Sequence, residues 1–206
     1  MGAPARDRTG LSADLHRYLQ QSRDALLSAL DGLTEYDIRR PMTPSGTNLL
    51  GLVKHLAGVE VGYLGDSVGR PAPFALPWVD DGTIWQGADM WATAEETRSD
   101  LVALYRAAWQ HVDESLDRLG LDAPAEVSWW PEDRRRTSLG SLLVRVVAET
   151  ARHAGHADIV RESIDGRGGP DAADMGAAEA WSRYVERIQH AADTHRGPSP
   201  AGHPSS

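Results

Sequence analysis

The chain has 206 residues, 41% of them hydrophobic, a formal net charge of −9 and no cysteine. That is enough apolar material for one compact domain with a substantial core. Acidic residues spread along the whole length repel a phosphate backbone and argue against nucleic acid as a partner. Without thiols there is no disulfide framework and no thiolate nucleophile, and any metal site must be built from nitrogen and oxygen ligands. The first residues, "MGAPARDRTG", lack the apolar run of a signal peptide, and no stretch approaches the ~20 apolar residues that span a bilayer. A soluble, cytoplasmic protein without membrane association is expected.

In chain order, Leu11, Leu15, Leu19, Leu26, Leu30 and Leu33 recur at the 3.6-residue period of one helical face and define a first helix. The turn-rich "RPMTPSGTN" breaks it, and Thr47 or Asn48 can cap a second helix running to about Gly69. Thr93 and Glu96 have capping-box spacing ahead of a third helix, traced by Leu101, Leu104, Tyr105, Ala108, Val112, Leu116 and Leu119 and stopped by Gly120. Ser138 can cap a fourth helix that ends near "DGRGG", and a shorter fifth helix covers 178–192. No internal repeat and no alternating strand stand out. The reading is an all-α, antiparallel four-helix bundle forming a single domain over 1–192, followed by a Pro/Gly/Ser-rich disordered tail at 193–206.

Two long connections, 70–92 and 120–137, carry tryptophans, and loops of that length in a compact domain are usually functional. Trp78, Trp85, Trp91, Trp129 and Trp130 either cover one end of the bundle or wall a ligand pocket at that end, and the two roles are compatible. Trp78, Trp85, Trp129 and Trp130 are the substrate-binding candidates among them. Arg134, in the basic run after "SWWPED", can attract an anionic group on a substrate, although such runs are more often solvated surface.

The fourth helix contains "AETARHAGHADIVRE". At about 100° per residue Glu149, His153 and His156 fall on one stripe, which Leu142, Val146 and Val160 share. These polar groups are therefore expected to face the interior. Burying a carboxylate and two imidazoles without partners costs several kcal/mol, and a metal ion would satisfy all three. In "LLGLVKHLAGVEVGY", His55 shares the face of Leu52, Val59 and Tyr63 and can complete the set from a facing helix. A single inward histidine is commonly a hydrogen-bonded core residue. The i, i+4 and i, i+3 spacings here let neighbouring side chains reach one ion. His16 and His111 lack an acidic or histidine neighbour on their own helices and are weaker candidates.

Taken together, "LLGLVKHLAGVEVGYLGDSVGRP", "DMWATAEETRSDLVALYRAAW", "VSWWPEDRR" and "AETARHAGHADIVRE" resemble the DinB-like superfamily. The likeness is to its actinobacterial branch related to mycothiol-dependent maleylpyruvate isomerase and mycothiol S-transferases, and it covers about residues 10 to 192. The resemblance implies a four-helix bundle holding a divalent metal, commonly zinc or nickel, through one histidine of the second helix and a ligand pair from a later helix. It assigns the first to His55. The later pair is either Glu149 with His153, or a histidine pair in which His156 stands in for the position held here by Ala157. Relatives often carry histidine where this chain has Gly140 and Arg145.

The implied activity is a thiol S-transferase or thiol-dependent isomerase acting on an electrophilic small molecule, with mycothiol as the thiol cosubstrate and its pKa lowered by the metal. Arg152 and Asp158 either orient the ligands from behind or are solvent-facing charges. The resemblance leaves room for a homodimer. Two further readings stay open: a metal-dependent biosynthetic enzyme on the same scaffold that uses no thiol, and a non-catalytic metal-binding stress-response protein.

Overall fold

The computed structural model describes residues 10–169 and 177–196. The chain divides into two compact units, residues 1–169 and 170–206. The first unit is predominantly helical: α1 (Leu11–Ser28), α2 (Glu35–Arg39), α3 (Leu49–Leu64), α4 (Pro77–Asp80), α5 (Arg98–Arg118) and α6 (Leu139–Asp165). Two short strands, β1 (Pro124–Glu126) and β2 (Arg136–Ser138), pair antiparallel with Ala125 opposite Thr137. The second unit contains α7 (Ala178–Asp193), whose Trp181 and Tyr184 rings meet edge to face. Of the expected tail, residues 197–206 lie outside the described residues.

The long helices begin where capping chemistry places them. The Asn48 side chain accepts the amide of Gly51 and starts α3, and the Ser138 hydroxyl accepts the amide of Ser141 and starts α6. The third long helix differs from expectation. Thr97, not Thr93, caps α5 by accepting the amide of Asp100, while Glu96 takes the amide of Thr93 in the bend before it. The first periodic segment also divides. It stops at Ser28, and Thr34 caps the five-residue α2, which is too short to show a period of its own. Helix α3 ends at Leu64, earlier than expected, with a single 3-10 turn at 66–68 beyond it. The β1–β2 hairpin is a further departure from an all-helical chain, made of strands too short to alternate visibly.

Helix α3 packs against α5 and α6, and α6 also packs against α1. It is buried nearly all round, including Leu49, Leu50, Leu52, Val53, Leu56, Ala57, Val61 and Leu64, as expected of a helix apolar on every side. Three of its positions are polar or charged. Lys54, almost fully buried, reaches Glu96 at 2.8 Å and the carbonyl of Trp91 at 3.2 Å, and lies 4.6 Å from the Trp78 ring. Glu60 is fully buried with Arg23 of α1, whose Nε lies 3.0 Å from the carboxylate. Arg23 extends to Asp113 of α5 at 3.1 Å, and Asp113 meets His16 at 3.1 Å. His16 thus has its acidic neighbour in space, from another helix. His55, the third, points toward the candidate site.

The connection 70–97 is tied down on α3. The Asn48 amide donates to the Met90 carbonyl, and Gly51 lies so close beneath it that a Cβ there would come within 1.9 Å of that oxygen. Lys54 holds the following segment. These contacts fix the position of Asp89 between them.

Candidate metal centre

His55 sits in the second turn of α3, with Glu149 and His153 on facing α6. One ligand atom from each of these three residues lies within 4.8 Å of the others, and among the described residues this is the group of His, Cys, Asp and Glu side chains able to hold a metal ion. His55 Nε2 is 3.9 Å from Glu149 Oε1, and His153 Nε2 is 3.2 Å from the same oxygen. The His55 and His153 rings meet edge to face with centroids 4.9 Å apart. Ligand atoms around a tetrahedral ion at about 2.0–2.1 Å are separated by roughly 3.3 Å, so small movements of these side chains would bring them onto one ion. Two imidazoles and a carboxylate suit zinc or nickel better than calcium or magnesium.

Neighbouring groups orient the three. His55 Nδ1 is 2.7 Å from the carboxylate of Asp89, which is itself buried. Asp89 accepts the Nδ1 proton, and in the neutral ring this tautomer turns the Nε2 lone pair toward Glu149. Glu149 uses its second oxygen to accept from Arg152 at 2.9 Å. Burial lowers the pKa of His153, assisted by the nearby His55 ring and opposed by Glu149. It is therefore neutral, and able to ligate, at neutral pH.

The expectation that all of Glu149, His153 and His156 face the interior needs correction. The buried face of α6 runs through Leu139, Leu142, Val146, Thr150, Ala157 and Val160. It is centred nearer Thr150 and Ala157 than Glu149 and His156, so Glu149 and His153 are half-buried at its edge and His156 is exposed. His156 Nδ1 lies 3.4 Å from His153 Nδ1, and His156 is not part of the three-residue group. Asp158 is half-buried, and a Cβ on Gly169 would come within 2.7 Å of its carboxylate. Asp89 was not among the sequence candidates. It lies in a connection without periodicity, and no spacing ties it to His55.

A cavity of about 360 Å³ adjoins the group. His55 and Asp89 line it together with Tyr63, Ile84, Trp85 and Trp129. Two glycines on α3 open this space. A Cβ on Gly62 would come within 3.2 Å of the Trp129 ring, and one on Gly58 within 3.3 Å of Trp78 Nε1. Of the other aromatic candidates, Trp78 is buried beside Lys54. Trp130 is half-buried, its Nε1 donating to the Tyr63 hydroxyl at 3.3 Å. Arg134 is exposed in the 3-10 turn between the strands, and neither it nor these two tryptophans lines the cavity. Gly140 has a packing reason: a Cβ there would come within 3.0 Å of the Leu121 carbonyl.

Among the described residues no helix is long and apolar enough to cross a membrane. No curated protein matches the chain. A family model described as Mycothiol-S-transferase matches residues 14–166, most of the chain and nearly all of the unit that contains the three-residue group. The chain belongs to the mycothiol S-transferase family.

Proposed function

We propose that the protein is a metal-dependent transferase that joins the thiol of mycothiol to an electrophilic small molecule. In this reading His55, Glu149 and His153 hold one zinc or nickel ion, and the four long helices α1, α3, α5 and α6 form the antiparallel bundle that carries them. The observation that carries the reading is the convergence of these donor atoms beside an apolar cavity in a chain of this family.

A bound divalent ion supplies Lewis acidity that lowers the pKa of a thiol or water. The chain's own residues prepare the site for it. Asp89 accepts the Nδ1 proton of His55 and holds that ring in the ligating tautomer. Burial keeps His153 neutral. Arg152 occupies one oxygen of Glu149 and leaves the other facing the two histidines. Trp85, Trp129 and Ile84 offer apolar surface to the electrophile. Three protein ligands would leave a coordination position open, as in catalytic rather than structural sites.

The test is conjugation of mycothiol to a generic electrophile. The rate should fall to background after chelation and return with added zinc or nickel. It should follow a group titrating well below the free thiol value of about 8.5. Mycothiol, the thiol that the family's description names, should be favoured over a simple thiol. Equal rates with both thiols, unaffected by chelator, would leave only background chemistry and move the assignment to a metal-dependent enzyme that uses no thiol.

A further inference from the structure

We propose that Arg145 is the anion-recognising residue of this site, and that the electrophile it selects carries a carboxylate. The reaction rests on the thiol-transfer reading above; the role of Arg145 rests on geometry. Arg145 lies one turn before Glu149 on α6, about 6 Å along the helix axis and on the same side of it. Its guanidinium stacks over the Tyr63 ring at 5.0 Å and the Trp130 ring at 5.4 Å. Arg145 is not itself part of the cavity lining; Tyr63, on which it stacks, lines the cavity with His55 and meets the Trp129 ring edge to face at 5.3 Å. Because Trp130 Nε1 donates to the Tyr63 hydroxyl, the two rings are fixed to each other and the cation to both.

Other arginines nearby are occupied. Arg152 is held by Glu149, Arg70 reaches the Ser115 hydroxyl, and Arg135 donates to the Trp130 carbonyl. Among the described residues no carboxylate pairs with Arg145, and its side chain is exposed. A stacked, permanently charged fork of donors without a partner is shaped for bidentate binding of a carboxylate. Asp66 and Asp89 line the cavity and the chain carries a net charge of −9, so an anionic ligand meets repulsion unless a positive group offsets it. Mycothiol brings hydroxyls and amides but no carboxylate, which leaves the anion to the other substrate.

Two matched electrophiles provide the test, 4-chloro-3-nitrobenzoate and 4-chloro-3-nitrobenzamide, with the zinc-loaded full chain and mycothiol. In the conjugation a C–S bond forms at the chlorine-bearing carbon, the C–Cl bond breaks, chloride leaves with the electron pair, and the thiol proton passes to buffer. Arg145→Gln should lower kcat/KM for the benzoate by about 3- to 5-fold, the loss expected for a solvent-exposed ion pair, and change the benzamide by less than about 1.5-fold. Arg145→Lys should fall between. Equal losses on both compounds would mean that Arg145 only props Tyr63 and Trp130, and no loss on either would also overturn the proposal. The same compounds are titrated without mycothiol by tryptophan fluorescence. If the wild type conjugates neither, the thiol-transfer reading fails, and Kd alone decides the residue. Tighter benzoate binding that Arg145→Gln abolishes supports the assignment, and equal Kd values for the two compounds in the wild type refute it.

Discussion

Two polar clusters draw on α3, and their difference separates structural polarity from a binding site. Around Glu60 every charge has an opposite partner: Arg23 holds the Glu60 carboxylate and Asp113, and Asp113 also meets His16. Arg23 and Glu60 are fully buried, and the Trp109 ring lies 5.4 Å from the guanidinium. Around His55 the balance is reversed. Glu149 and Asp89 face two histidines, one of them held neutral, and the nitrogen and oxygen lone pairs converge with little hydrogen to share. In the first cluster the charges are balanced by protein atoms alone. In the proposed reading the second is balanced by a cation.

The sharpest way to break this comparison is to unbalance the first cluster. Arg23→Leu leaves Glu60 buried without its counter-charge and should cost about 3–5 kcal/mol, read as a large fall in the midpoint of denaturant unfolding. Metal content per folded chain should not change. A variant as stable as the wild type would show that water reaches Glu60 and that the burial argument is wrong. Acidification probes the same cluster. Burial pushes the Asp113 carboxyl up, but the bonds from His16 and Arg23 outweigh it and hold the carboxyl below its ordinary value. Its contribution to stability is therefore present above the usual carboxylate range and lost as pH falls through the lowered value.

The next effect belongs to the second cluster. Asp89→Asn keeps the shape but weakens the hold on His55 Nδ1, and metal affinity should drop by about 10- to 100-fold, the usual consequence of losing such a support. Competition against a chelator of known affinity measures it. Unchanged affinity would reduce Asp89 to a packing contact of the 70–97 connection.

Much of this was legible in the sequence, and the remainder had physical reasons for being hidden. The apolar period located α1 and α5, and Asn48 and Ser138 marked the starts of α3 and α6, which their side chains do cap. The pairing of His55 with Glu149 and His153 was visible as inward-facing positions on two helices. His156 was overcounted because a 60° stripe on a helix edge spans both half-buried and exposed positions, so periodicity alone does not say where the buried face ends. Asp89 was invisible because its position depends on Asn48, Gly51 and Lys54 anchoring a connection that has no period. The hairpin of Pro124–Glu126 and Arg136–Ser138 is too short to alternate. Arg145 was not a site candidate in the sequence, and its stacking on Tyr63 and Trp130 emerges only when α3 and the hairpin loop are brought together.

Smaller effects sharpen the second cluster. Ligating histidines must be neutral, so acidification from about pH 7.5 to 5 should release the ion. The sign follows from the direction of the shift. The lowered pKa of His153 means that protons compete for it only at pH below the ordinary histidine value of about 6.5, and metal should be retained through that value. Half-release above about pH 7 in metal-free buffer would contradict a neutral His153. The mildest change is Trp129→Ala, which removes a wall of the cavity without touching a ligand residue. It should weaken electrophile binding by a few-fold, about 1 kcal/mol, and leave metal content intact.

The central claim is that His55, Glu149 and His153 form a cation site whereas the equally polar Arg23–Glu60 cluster does not. Elemental analysis after zinc reconstitution tests it directly, on the wild type, His55→Ala, His153→Ala and His156→Ala, each with its unfolding curve. The account predicts close to one ion per chain in the wild type and His156→Ala, and loss of most of it in folded His55→Ala and His153→Ala. Wild-type metal content in both His55→Ala and His153→Ala, or none in the reconstituted wild type, would contradict it.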